Sequence, residues 1–96
     1  MNTKDAYKQK IEAELELVQA KLAEFKARVK SSTADARINY AKQVDELEKM
    51  ADVTKAKLKE LGEASEDAWE QLKEGVESAW DILRTAVRDA SAKFKE

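Results

Sequence analysis

The side chains best able to do chemistry in this sequence are carboxylates. Glu63, Glu66, Glu70, Glu74, Glu77 and Asp81 recur at spacings of 3, 4, 4, 3 and 4, which sets them in one row along a helix. Such a row can dock a basic partner or loosely attract divalent cations. It is a poor site for acid–base catalysis, because an exposed ridge offers no water-excluding pocket in which a carboxyl pKa would rise. Helical carboxylate metal centres combine Glu with an E-x-x-H pair, and the chain has no His. No D-x-D-x-D-G loop points to calcium. The chain also has no Cys. Thiol nucleophiles, disulfides, Ser-His-Asp relays, structural zinc and His-coordinated iron are therefore excluded. The chain is expected to be non-enzymatic, with no cofactor and no bound metal.

Basic side chains point to no nucleic-acid site either. Lys21, Lys26, Arg28 and Lys30 form one cluster and Lys55, Lys57 and Lys59 another, but acids are interleaved and no aromatic platform for base stacking adjoins them. With 18 basic and 20 acidic residues the net charge is −2, so the chain lacks the basic footprint that phosphate backbones require. The balance is uneven along the chain. Residues 1–61 hold 13 Lys/Arg against 11 Asp/Glu, or +2, and residues 62–96 hold 5 against 9, or −4.

The elements that carry these residues are helices. Two Gly, no Pro and 40% charged residues in 96 positions match long helices or coiled coils and leave little for strands and tight turns. The length suits one domain. A mean hydropathy of −0.71 is low enough to raise disorder, but the apolar periodicity favours a folded helical chain. Ile11, Leu15, Val18, Leu22, Phe25 and Val29 are separated by 4, 3, 4, 3 and 4, a seam that turns one stripe of a helix toward a partner. A second seam follows at Tyr40, Val44, Leu47, Ala51, Thr54, Leu58 and Leu61. Tyr7 lies beside the first seam and reads, with Phe25 and Tyr40, as a packing residue.

Between the seams, Ser31-Ser32-Thr33 is an ambiguous joint. Basic residues before it suit a helix end and Ser32 with Asp35 suits a new N-cap, yet no Gly or Pro enforces a break. The second joint is better marked. Gly62 suits a left-handed C′ position with Lys57 and Lys59 near the last carbonyls, and Ser65 suits the cap of a third helix. Helical segments at 4–30, 34–61 and 65–94 are predicted. They imply an all-α fold, either an antiparallel coiled-coil hairpin or a three-helix bundle of long helices. Were the first joint continuous helix, its N-terminal seam would need another chain to cover it.

The last segment changes period. Leu61, Leu72, Leu83 and Phe94 are 11 apart, as are Ser65, Val76 and Val87, the alanines 68, 79 and 90, and Trp69 and Trp80. Eleven residues make nearly three whole turns, which keeps a stripe almost straight. The apolar residues from Ile82 through Leu72 and Leu83 to Trp80 fill an arc of about 160°, wide enough to pack on two neighbours. Gly75, at the edge of that arc, marks either a close helix approach or a tolerated defect. The acidic row occupies the opposite face, where each like-charged i, i+4 pair costs about 0.2–0.5 kcal/mol. Burial of the apolar arc must offset that cost.

Eleven-residue amphipathic repeats resemble those of exchangeable apolipoproteins and of some desiccation-protective proteins, and two Trp at a stripe edge suit an interfacial position. The run from Ala64 to Trp80, preceded by Ala34-Asp35-Ala36-Arg37 and Tyr40-Ala41-Lys42-Gln43, resembles a group of small bacterial coiled-coil domain-containing proteins. The likeness covers most of the chain, and the paired Ala-Trp motifs 11 apart are its most specific part. Ser65-Glu66-Asp67 departs from the Ser-Gly-Asp of that group. The resemblance implies an all-helical fold and a bacterial source, and carries no activity or binding residue with it.

The expected function is a coiled-coil interaction or scaffolding protein that binds itself or another helical protein. The candidate contact residues are Trp69, Leu72, Val76, Trp80, Leu83 and Val87 on the last helix, and the first seam from Ile11 to Val29. The alternative is a reversible amphipathic binder of lipid or another apolar surface, in envelope or stress protection. No apolar run approaches the roughly 18 residues of a membrane-spanning helix, and Met1-Asn2-Thr3-Lys4-Asp5 has no secretory h-region. A cytoplasmic protein is expected.

Overall fold

The computed structural model describes residues 2–94, the Phe94 side chain excepted. The expected place of Phe94 in the 11-residue register therefore lies outside the described side chains. The chain forms three helices, α1 (Thr3–Ser31), α2 (Ala34–Glu63) and α3 (Trp69–Phe94), with no strand among the described residues. Near one end, the Lys4 ammonium reaches the carbonyls of Gly62 and Ala64. Further along, Lys26 pairs with Glu48 at 2.9 Å, so α2 runs antiparallel to α1. Asn2 donates to Glu66 and the Tyr7 ring meets Trp69, so α3 returns parallel to α1. The result is an up-down-up three-helix bundle, a rod of 51 × 19 × 18 Å.

Neither joint is closed by a left-handed glycine: the first is closed by its own hydroxyls and Arg37, the second by Lys4 from α1. At the first, Ser32 turns extended, and its hydroxyl and N–H both donate to the Val29 carbonyl, at 2.7 and 3.2 Å. Thr33 then accepts from the Ala36 N–H, while the Arg37 guanidinium donates back to the carbonyls of Lys30 and Ser32. The joint is thus a break. Its N-cap is Thr33, one residue later than the Ser32 expected from the capping pattern, because Ser32 is consumed ending α1. No second chain is needed to cover the first seam.

The second joint departs further from expectation. Gly62 is helical, and no residue among those described has a positive φ. The helix runs to Glu63 and Ala64 leaves it extended. A Cβ on Gly62 would stand 2.8 Å from Lys8 Cε, so this glycine admits the Lys8 stem from α1. Lys57 and Lys59 lie too far back to reach the final carbonyls, and α2 has no basic residue in its last turn. Lys4 supplies that cation from α1 instead. Residues 66–68 form a separate turn, and the Ser65 carbonyl accepts from the N–H groups of Ala68 and Trp69 at 3.1 Å each. α3 therefore begins at Trp69, four residues later than the predicted 65.

One hydrophobic cluster runs the length of the rod. From the first seam it buries Ile11, Leu15, Val18, Leu22 and Phe25, and from the second Val44, Leu47, Ala51, Leu58 and Leu61. Thr54 also sits fully buried in the second seam. Its hydroxyl is satisfied by donating to the Met50 carbonyl one turn back, at 3.0 Å.

Candidate interaction surface

The residues expected to meet a partner are largely spent inside the bundle. On α3, Trp69, Val76 and Leu83 are buried, while Leu72, Trp80 and Val87 are half-buried against the same cluster. On α1, Ile11 to Phe25 are buried and Val29 is half-buried. The stripe that reads as an apolar contact face is satisfied within one chain, with α1 and α2 as its two neighbours.

The apolar arc is not buried to its edge. Ile82 is 57% exposed, and across from it on α2 Val53 is 51% exposed. Together with Met50, Gly75, Ser78 and Ala79 they line a groove of about 380 Å³ between α2 and α3, bordered by Lys49 and Lys57. Sequence reasoning missed this surface because Val53 lies off the second seam and Ile82 was counted with the core arc. Gly75 lines the groove too. A Cβ there would meet only the Lys57 ammonium, at 3.9 Å, so this glycine marks open space and no close helix approach.

The six carboxylates of the expected acidic row are all exposed, but they do not share one helix: Glu63 ends α2, Glu66 lies in the turn, and only Glu70, Glu74, Glu77 and Asp81 stand on α3. Among the described residues no three or more carboxylates converge on a point where a metal ion could sit. Lys73, which interrupts the acidity, has a structural explanation. Its ammonium lies 5.1 Å from the Tyr7 ring centroid, 5.9 Å from that of Trp69, and 3.9 Å from Glu77. The Tyr7 and Trp69 rings are themselves 6.1 Å apart and tilted by 39°. A cation over two aromatic faces is held by their quadrupoles, and here it pins the start of α3 to α1. The Tyr7 hydroxyl is enclosed and has no hydrogen-bond partner. Burial, and then the negative charges of Glu77, Glu14 and Asp81, push its pKa up to about 12.

No helix among the described residues is long and apolar enough to cross a membrane. Comparison with protein-family models, with curated proteins and with solved structures finds no match to this chain. The class the fold defines is an all-α three-helix bundle of long helices.

Proposed function

We propose that this bundle is a non-enzymatic interaction or scaffolding protein that associates through a helical face, with itself or with another helical protein. The observation that carries the reading is the α2–α3 groove. Val53 and Ile82 keep more than half of their surface in water and line one groove together, whereas the other exposed large apolar side chains, Leu17 and Ile38, do not line it. Fully burying a side chain of this kind is worth about 1.5–3 kcal/mol, so a partner helix laid in the groove gains from both at once.

Reversible binding of the α3 stripe to lipid is the weaker reading. Val76 and Leu83 are 0% exposed, so the bundle must open before they can reach an apolar surface, and the acidic outer row is repelled by anionic bilayers. Sedimentation equilibrium of the intact chain, with Trp emission followed during titration by neutral and anionic vesicles, separates the two. A mass that rises with concentration and an emission blind to vesicles support association. A single-chain mass at every concentration, with emission moving blue on vesicles, overturns it in favour of lipid.

A further inference from the structure

We infer that the α2–α3 groove receives an acidic amphipathic helix of another protein, one whose apolar side chains carry a carboxylate about one turn to either side. This rests on the association proposed above and names the chemistry of its partner.

Charge selects the occupant. Lys49, Val53 and Lys57 follow one another at four-residue steps along α2, so an ammonium stands one turn to each side of the exposed valine on a single ridge. The facing wall on α3 is uncharged, built of Gly75, Ser78, Ala79 and Ile82, and no carboxylate lines the groove. The Lys57 ammonium lies 3.9 Å from where a Cβ on Gly75 would stand, and it pairs with no carboxylate among the described residues. Lys49 pairs with Asp45 of its own helix, where both groups stand mostly in water. Exposed pairs of that kind are weak, so both cations are free to meet a stronger partner.

A helix lowered into this groove buries Val53 and Ile82 and gains again where its carboxylates come level with the two lysines. The small side chains of the α3 wall let its backbone come close. From Lys49 to Lys57 is about 12 Å at 1.5 Å per residue, so the matching carboxylates stand two turns apart. Past Lys49 the groove continues among Glu46, Asp89 and Lys93. The acidic stretch of the partner is therefore confined to the two turns that face Lys49 and Lys57.

A second copy of this chain does not offer that pattern. Outside the groove, the exposed large apolar side chains among the described residues are Leu17 and Ile38. Leu17 has Glu14 a turn before it but Ala20 and Lys21 a turn after; Ile38 has Asp35 before it but Ala41 and Lys42 after. Each would set a lysine against one of the groove's own. Groove against groove brings no acid either, since the charges lining it are both lysines.

Two synthetic helices added to the intact chain test the inference. Both are alanine-based peptides of about 16 residues, long enough to be partly helical, with leucines on one face flanked a turn away by glutamates in one and by lysines in the other. The methyl NMR signal of Met50, which lines the groove, reports occupancy. The glutamate peptide is expected to bind at least about tenfold more tightly than the lysine peptide, with the gap closing as salt screens it. Lys49→Glu with Lys57→Glu should invert that order, and Ile82→Ser should weaken both peptides alike. All three positions are exposed, so helical circular dichroism should stay at the parent's level. Should the double reversal lose helicity, Lys49→Gln with Lys57→Gln replaces it and should bring the two peptides to equal affinity.

Equal binding of the two peptides to the parent chain, or a preference that survives removal of the lysines, overturns the assignment. Self-association that Ile82→Ser abolishes, with a Met50 signal blind to the glutamate peptide, overturns it in favour of a second copy and leaves association itself standing. A Met50 signal moved by anionic vesicles and by neither peptide overturns it in favour of lipid. A parent that stays a single chain and answers to neither peptide defeats both readings together.

Discussion

The ammonium of Lys4 donates to the Ala64 carbonyl at 2.8 Å and to the Gly62 carbonyl at 3.3 Å, so the first turn of α1 closes the last turn of α2. Those carbonyls carry the negative end of the α2 dipole, and α2 has no basic residue of its own there. Lys4→Met keeps the stem and removes the charge and donors. It is expected to cost about 1 kcal/mol, read as a lower midpoint in urea unfolding with an unchanged slope. An unchanged midpoint would mean that water serves the carbonyls equally well.

Core truncations are expected to be far costlier than their surface counterparts. Phe25 is 1% exposed and Leu83 fully buried. Phe25→Ala should cost about 3–5 kcal/mol and Leu83→Ala about 2–5 kcal/mol. A domain this small holds only about 5–15 kcal/mol in total, so either variant should be largely unfolded well below the parent's melting temperature. Leu17 is exposed on the outer side of α1, and Leu17→Ala should stay within about 0.5 kcal/mol of the parent. Thermal circular dichroism of the three variants checks the contrast.

The two glycines differ in what an added methyl would meet. At Gly75 only the Lys57 ammonium approaches, at 3.9 Å, and the backbone is helical. Gly75→Ala is therefore expected to stabilise by about 0.5–1 kcal/mol through propensity alone. At Gly62 the methyl would press on the Lys8 stem, at 2.8 and 3.0 Å, so Gly62→Ala should gain less. A larger gain at Gly62 than at Gly75 would contradict this account of the pair.

The helices and both seams were legible because a period near 3.5 leaves one stripe for the core. Every seam residue from Ile11 to Phe25 and from Val44 to Leu61 lies buried in the place that spacing implies. The joints were read less well, for two separate reasons. The first is built from side-chain hydroxyls of Ser32 and Thr33, a weaker sequence signal than Gly or Pro. The second misled because Gly62 invites a left-handed cap, whereas here its missing side chain serves Lys8, a contact 54 positions away. The groove was illegible for a further reason. Periodicity reports which residues face inward, and Val53 and Ile82 are defined only by how α2 and α3 splay at their outer edges.

Tyr7 makes the bundle sensitive to alkali. Its hydroxyl is enclosed without a hydrogen-bond partner, and its pKa is pushed up to about 12 by burial and then by Glu77, Glu14 and Asp81. In the unfolded chain a tyrosine titrates near 10. Below about pH 10 both states hold the proton, and the stability linked to this group is fully present. Above that, the unfolded chain releases a proton that the folded chain still binds, so stability falls as pH rises through about 12. Tyr7→Phe keeps the ring beside Trp69 and Lys73 but removes the unsatisfied hydroxyl. It should match the parent at neutral pH or exceed it by up to about 1 kcal/mol, and it should flatten the alkaline decline. Tyrosinate absorbance in a Tyr40→Phe chain isolates the group. Titration of Tyr7 near 10 in the folded protein would show that its hydroxyl reaches water and that the enclosure does not hold in solution.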